Sequence, residues 1–299
     1  MANRSLSNWL PVQTASGVVG TQVEPSAIMS ALGAPRDMSG TDVLQVPTLL
    51  GADVAQGETL TEDTNDGGKA TMYAATFNGK QSLSEREVEV TAKNGSDAFA
   101  SYDYAWLNKF HMAFDNAALG VSAARSATDS NNRPFSSVYY EVVTNANSMY
   151  EAGALTYDNG NELLGRLEGS QYGSGSTVVI FAHPGLKQSL RGIKDSQNRP
   201  IFIDGAKVVA DTLFDVPVYW TKGAKVTPSH AQVVNGTGNK LMIAVNTQYA
   251  AWGQGAAPAH RLIPASMNPL ALAHVLQHRA VEGFVLTVPG AASILEVNA

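Results

Sequence analysis

Residues 96 to 120 constrain this chain more than any other stretch. Phe99, Tyr102, Trp106, Phe110, Ala113, Phe114 and Ala117 recur at spacings of three and four, which predicts one long helix with an aromatic face. Ser96 or Asp97 can cap its start and Gly120 can end it. At ~1.5 Å per residue the helix is a rod of roughly 35 Å. An aromatic stripe of that length needs a partner surface, either a core or another subunit. A ligand-binding stripe is the weaker reading.

The segments on either side are organised differently. Residues 1–42 are rich in Ser, Ala, Gly and Pro. They read as an extended arm with one short helix at Ala27, Ile28, Met29, Ala31 and Leu32, and such an arm has too little apolar material to bury itself. Residues 43–92 read as a long hairpin. Val43, Leu44, Val46, Thr48 and Leu49 lead out, and Thr71, Met72, Tyr73, Ala75, Thr76 and Phe77 lead back. Between them, Asp53, Glu58, Glu62, Asp63 and Asp66 stand without a basic residue. An isolated hairpin is marginal in water, so an acidic tip is either a docking element or a disordered loop.

Beyond the helix, Ser130–Pro134 is a turn signal and 138–144 is expected as a strand. Residues 161–171 are expected as a helix with Leu163, Leu164 and Leu167 inward. Ser176–Ala182 is a buried strand by its unbroken apolar run. A short helix follows from His183-Pro184-Gly185 to about Ile193. Strands are expected at 216–220, 240–245, 284–288 and 293–297, and 270–277 is open between strand and helix. Short elements alternate without a βαβ rhythm, which predicts an α+β fold.

Composition limits function. Hydrophobic residues make up 44% and charged residues 15% of 299, so a disordered chain is excluded. Low surface charge suits subunit interfaces, although a secreted hydrolase has the same composition. The net charge is −6, and no run of basic residues tracks a phosphate backbone. Cysteine is absent, which removes disulfides, thiol nucleophiles and cysteine zinc sites. No apolar run reaches the ~20 residues of a membrane helix, and the N-terminus lacks a signal-type apolar region. The chain reads as soluble and unexported.

Candidate chemistry is sparse. Gly173-Ser174-Gly175-Ser176 lacks the Lys-Ser/Thr ending of a phosphate loop and precedes a strand, so it reads as a linker. No Gly-x-Ser-x-Gly elbow occurs. His274 and His278 share a face on either a helix or a strand, but no third metal ligand lies nearby, and a structural role is favoured. The acids from Glu58 to Asp66 do not match calcium-loop spacing. No catalytic residue, cofactor site or metal site is assigned, and the chain is expected not to be an enzyme.

The order of elements resembles that of the major capsid proteins of tailed double-stranded DNA bacteriophages, which have the Hong Kong ninety-seven-type coat fold. The motifs that carry the resemblance are Val178-Val179-Ile180-Phe181-Ala182-His183-Pro184, then Leu190 and Ile193-Lys194-Asp195, then Asn198-Arg199-Pro200-Ile201-Phe202. Next comes Leu213-Phe214-Asp215-Val216-Pro217-Val218, with Asp215 where the family usually has Gly, and a closing run from Arg279 to Leu295 around Pro289.

The resemblance implies an N-terminal arm at 1–42, an extended hairpin loop at 43–92, and a spine helix with the first part of a peripheral domain at 93–131. An axial domain at 132–262 and the rest of the peripheral domain at 263–299 complete the plan. It implies a virion shell protein, assembled in the host cytoplasm through pentamers and hexamers into an icosahedral shell. That shell would enclose double-stranded DNA without sequence-specific binding, with scaffolding, portal and decoration proteins as further partners and no membrane. A large N-terminal scaffolding segment, present in some family precursors, is not in this sequence; either it was removed or scaffolding is a separate protein, and Met1 argues against removal.

Subunit-interface candidates are Glu58, Leu60, Glu62, Asp63, Asp66, Lys69, Met72, Trp106, Arg261 and Arg279. Some family members weld subunits through a Lys–Asn bond assisted by a Glu. Here Lys69 lies near the hairpin tip and Asn268 near the peripheral strands, but Gln277, two before Arg279, stands at the position of the assisting acid, so cross-linking is not expected. An encapsulin-type compartment shell, and more remotely a soluble hydrolase, are the alternatives.

Overall fold

The computed structural model describes residues 23–48, 68–86, 88–89, 98–145, 149–173, 177–194, 198, 212–267 and 273–298. The architecture is α+β, with two sheets. One has five strands in the order β1 (Arg36–Asp37), β9 (Ala250–Ile263), β10 (Ala273–Leu286), β3 (Gly68–Ser84), β2 (Val43–Thr48). The other has six, in the order β4 (Tyr150–Gly153), β11 (Ala292–Val297), β8 (Lys240–Asn246), β5 (Val178–Ala182), β7 (Val216–Trp220), β6 (Thr212–Leu213). The helices are α1 (Ala27–Leu32), α2 (Ala98–Leu119), α3 (Val138–Asn145), α4 (Tyr157–Glu168) and α5 (Lys187–Gly192).

The chain forms two compact units. One holds the described residues within 78–107 and 260–278, and the other those within 24–77, 108–259 and 279–299.

In the larger unit, the six-stranded sheet follows from its sequences. β5 is buried at all five positions and β8 at six of seven, as a strand covered on both faces must be. β5 runs antiparallel to β8 and parallel to β7. Thr156 Oγ1 accepts from Asn159 N at 3.1 Å and starts α4. That helix turns Leu163, Leu164 and Leu167 into a core with Val178, Ile180 and Met242. β11 pairs with β8 and β4, so the last strand completes this sheet, whereas the sequence had grouped it with the peripheral segment.

The same unit holds the start of the expected hairpin. β2 and β3 are antiparallel, with Val43 opposite Tyr73 and Thr48 opposite Gly68. Gly253 and Gly283 both lie under the side chains of Met38 and Met72. A Cβ at either glycine would collide with them. Beneath the C-terminal half of α2, Phe77 meets Phe110 at 5.4 Å and Phe114 at 6.1 Å, edge to face. Phe135 and Trp252 pack on Phe114.

The structure corrects two expectations. Residues 138–145 are helical, although 138–144 was expected as a strand. Ser137 Oγ accepts from Tyr140 N at 3.1 Å and caps the turn. Val138 and Val142, one helical turn apart, are both fully buried, so packing outweighs β-branched propensity. The long strand β9 was not anticipated, because Gly253, Gly255 and Pro258 interrupt its pattern.

Candidate assembly surfaces and the junction that supports them

A polar junction on the second half of α2 organises the larger unit. Asn108, His111 and Asp115 are three and four apart, so they share one helix face. That face holds the chain entering α1. Asn108 Oδ1 accepts from Glu24 N at 2.8 Å, and the His111 ring bonds Glu24 O at 2.8 Å. Asp115 accepts from Ser26 Oγ at 2.5 Å, Ala27 N at 3.0 Å, Ile28 N at 3.3 Å and Thr221 Oγ1 at 2.6 Å. Ser26 Oγ in turn accepts from Met29 N, and Gly33 at φ 70 ends the short helix.

Asp115 thus supplies partners for backbone donors that the first turn of α1 would otherwise leave open. It is 1% exposed, and burial pushes its carboxyl above the usual range against the pull of those four donors. The next residue faces the other way. Asn116 Nδ2 donates to Gly223 O and Lys225 O, both at 2.8 Å, and its Oδ1 accepts from Thr227 Oγ1 at 2.6 Å. Two consecutive side chains therefore fix two distant segments. Sequence reading missed them. The available signal was an Asp-Asn pair set inside an aromatic stripe.

A second buried carboxylate in this unit, Glu296, is fully engaged. It accepts from Tyr139 at 2.8 Å, Tyr150 at 2.6 Å and Asn239 at 2.6 Å. Burial first, then Glu296, raises both tyrosines.

In the smaller unit, Trp106 stacks on His278, with ring centroids 4.9 Å apart and planes 15° apart. It also covers Gly79 so closely that a Cβ there would overlap the indole. His278 Nε2 meets Asp103 Oδ1 at 2.6 Å, and His260 Nδ1 meets Asp103 Oδ2 at 3.2 Å. His274 packs edge-on to Phe99 at 5.9 Å. His274 and His278 thus share a strand face and contact an aromatic ring and a carboxylate. Among the described residues, no group of three His, Asp or Glu side chains is placed to hold a metal.

The interface candidates separate into four groups. Glu58, Leu60, Glu62, Asp63 and Asp66 lie outside the described residues, as does Asn268. Lys69, Arg261 and Arg279 are exposed, as is Gln277. Trp106 is half-buried under its own stacking. Met72 is 0% exposed in this chain, because an even position on β3 turns it toward Met38, Gly253 and Gly283. Exposed apolar side chains do occur elsewhere: Leu262 and Met267 in the smaller unit, Val43 and Val234 in the larger.

A cleft of about 470 Å³ in the larger unit is lined by Arg36, Thr48, Gln248, Tyr249, Trp252 and Thr287, among others. Among its described lining residues, Arg36 and Tyr249 are the ionisable ones. No helix among the described residues is long and apolar enough to cross a membrane.

No family model and no curated protein matches this chain. Solved structures do. A chain of Mycobacterium phage Ogopogo overlays with a TM-score of 0.71 at 13% identity, covering 100% of both chains. A chain of Mycobacterium phage Bobi gives 0.70 at 14% identity, over 98% of this chain and 97% of that one. The capsid of a native GTA particle gives 0.65 at 14% identity, over 99% and 98%. The whole chain therefore shares their fold, the Hong Kong ninety-seven-type coat fold.

Proposed function

We propose that this chain is a major capsid protein of a tailed double-stranded DNA bacteriophage, a structural subunit rather than an enzyme. The observation that carries this reading is the end-to-end overlay on a capsid chain, at a TM-score of 0.65 over 99% of the sequence. Fold likeness alone does not specify function. Here one further feature agrees with it: charged residues are scarce, as suits buried subunit contacts.

In this reading, subunits assemble in the host cytoplasm through pentamers and hexamers into a closed shell around DNA. Residues 132–262 cluster near the five- and six-fold axes, and the peripheral segments and α2 meet neighbours near three-fold axes. The acidic segment from Asp53 to Asp66 lies over an adjacent copy and meets exposed cations there, with Arg261 and Arg279 as candidates. Scaffolding, portal and decoration proteins complete the particle.

Size-exclusion chromatography with negative-stain microscopy of each peak tests the proposal. Shells, pentamers or hexamers are expected. A stable monomer that never assembles, even with lysate from infected cells, would refute it. Shells that carry protein cargo and no DNA would reassign the chain to a cellular compartment.

A further inference from the structure

The sequence has no basic run, yet the fold gathers cations in the larger unit. Lys225 and Lys240 are direct partners across an antiparallel bridge, an arrangement in which like charges repel. A Cβ at Gly185 would lie 2.9 Å from Lys240 Cε and 2.9 Å from His183 Nδ1, so the lysine stem and the imidazole flank one small space. Lys222 stands three residues before Lys225. The Lys225 ammonium donates to Gly236 O. The exposed Lys222 lies 3.9 Å from Glu24, itself exposed. Among the described residues, neither Lys225 nor Lys240 meets a carboxylate.

The imidazole is fixed in one form. His183 Nδ1 accepts from Gly185 N at 3.0 Å, so the ring carries its proton on Nε2. Burial and the charges of Lys225, Lys240 and Lys222 push its pKa down to about 4, which keeps it neutral at physiological pH. The result is one neutral N–H donor beside partly buried ammoniums, in a chain whose net charge is −6. Holding Lys225 and Lys240 together costs the folded chain Coulomb energy, and among the described residues neither has an ion pair that offsets it.

We propose that His183, Lys225 and Lys240 form a phosphate-binding site, whose ligand in the particle is the sugar–phosphate backbone of the enclosed DNA. The choice of ligand rests on the shell reading, whereas the site itself does not. Phosphate suits the donors better than a carboxylate. Lysine binds phosphate as a point charge, without the planar two-point fit that an arginine makes with a carboxylate. Contact of this kind carries no sequence information.

The test uses the full chain, a short mixed-sequence duplex followed by fluorescence anisotropy over a salt series, and inorganic phosphate followed by Tm. Lys240→Gln is the informative variant, because this ammonium has no ion pair to lose among the described residues. Duplex binding should weaken roughly tenfold and the log–log salt slope should drop by about one. Lys109→Gln, an exposed lysine on α2, should change neither. Phosphate should raise the Tm of the wild type and not that of Lys240→Gln, which without phosphate should be at least as stable as the wild type.

A phosphate response without duplex binding would keep the site and make free phosphate its ligand. Identical behaviour of wild type and Lys240→Gln towards both probes would overturn the proposal. So would lysine-dependent binding of a peptide spanning residues 53–66 in place of the duplex, which would make a second copy the occupant. Negative-stain microscopy separates the two readings. Wild-type shells with no anion response refute this site alone, and an anion response with no shells refutes the shell alone.

Discussion

At the scale of single residues, two buried carboxyls behave in opposite ways. Asp115 accepts four hydrogen bonds and holds α1 in place. Asp115→Ala strands two backbone N–H groups and two hydroxyls in a dry site, and should cost roughly 2–4 kcal/mol. Denaturant melts would show the loss, and amide exchange should accelerate at residues 24–32 first. Glu282 is fully buried with a single partner, Gln254 Nε2 at 3.2 Å, and its Oε2 has none among the described residues. Burial pushes its pKa from 4.5 up to about 7, with Gln254 pulling weakly against this. The folded chain therefore keeps a proton that the unfolded chain has released, between pH 4.5 and about 7. This contribution to stability is complete below pH 4.5 and lost as pH rises to about 7, by ~1–3 kcal/mol. Glu282→Gln should flatten that part of the stability–pH curve. A curve of unchanged slope in the variant would remove Glu282 as the cause.

At the scale of elements, α2 shows how one helix serves several partners. Its stripe of Phe110 and Phe114 was legible from spacing alone, and both rings pack as an amphipathic face should. The polar face at Asn108, His111 and Asp115 was not legible, because its partners lie more than eighty residues away. The strand β9 was hidden for a similar reason. Its glycines look like breaks until Met38 and Met72 are seen lying over Gly253. The acidic segment between β2 and β3 carries the prediction that belongs at this scale. Replacing Glu58, Glu62, Asp63 and Asp66 by Lys should block shell closure while subunits still fold. Each exposed ion pair contributes only ~0–1 kcal/mol, so the effect depends on repetition over many copies. Normal particles from this variant would exclude the segment from assembly.

At the scale of the whole molecule, cross-linking gives a direct readout. With Gln277 in place of a carboxylate, no group at that position can take a proton, and the Lys69–Asn268 weld should not form. Boiled particles should run as a single monomer band in denaturing electrophoresis, and a ladder above it would contradict this. The sequence by itself determined the α+β class, the long helix, the opening of the 43–92 hairpin, the buried strand ending at Ala182 and the strands at 216–220 and 240–245. Periodicity, caps and unbroken apolar runs are local quantities, set by residues within a few positions of each other. Only the tertiary structure decided that 138–145 is a helix, that Met72 faces inward, and that Asp115 and Asn116 tie together segments from Ser26 to Thr227. It also brought His183, Lys225 and Lys240 to one place. Each of these depends on which distant backbone supplies a partner, a cover or a repelling charge, and no local pattern records that.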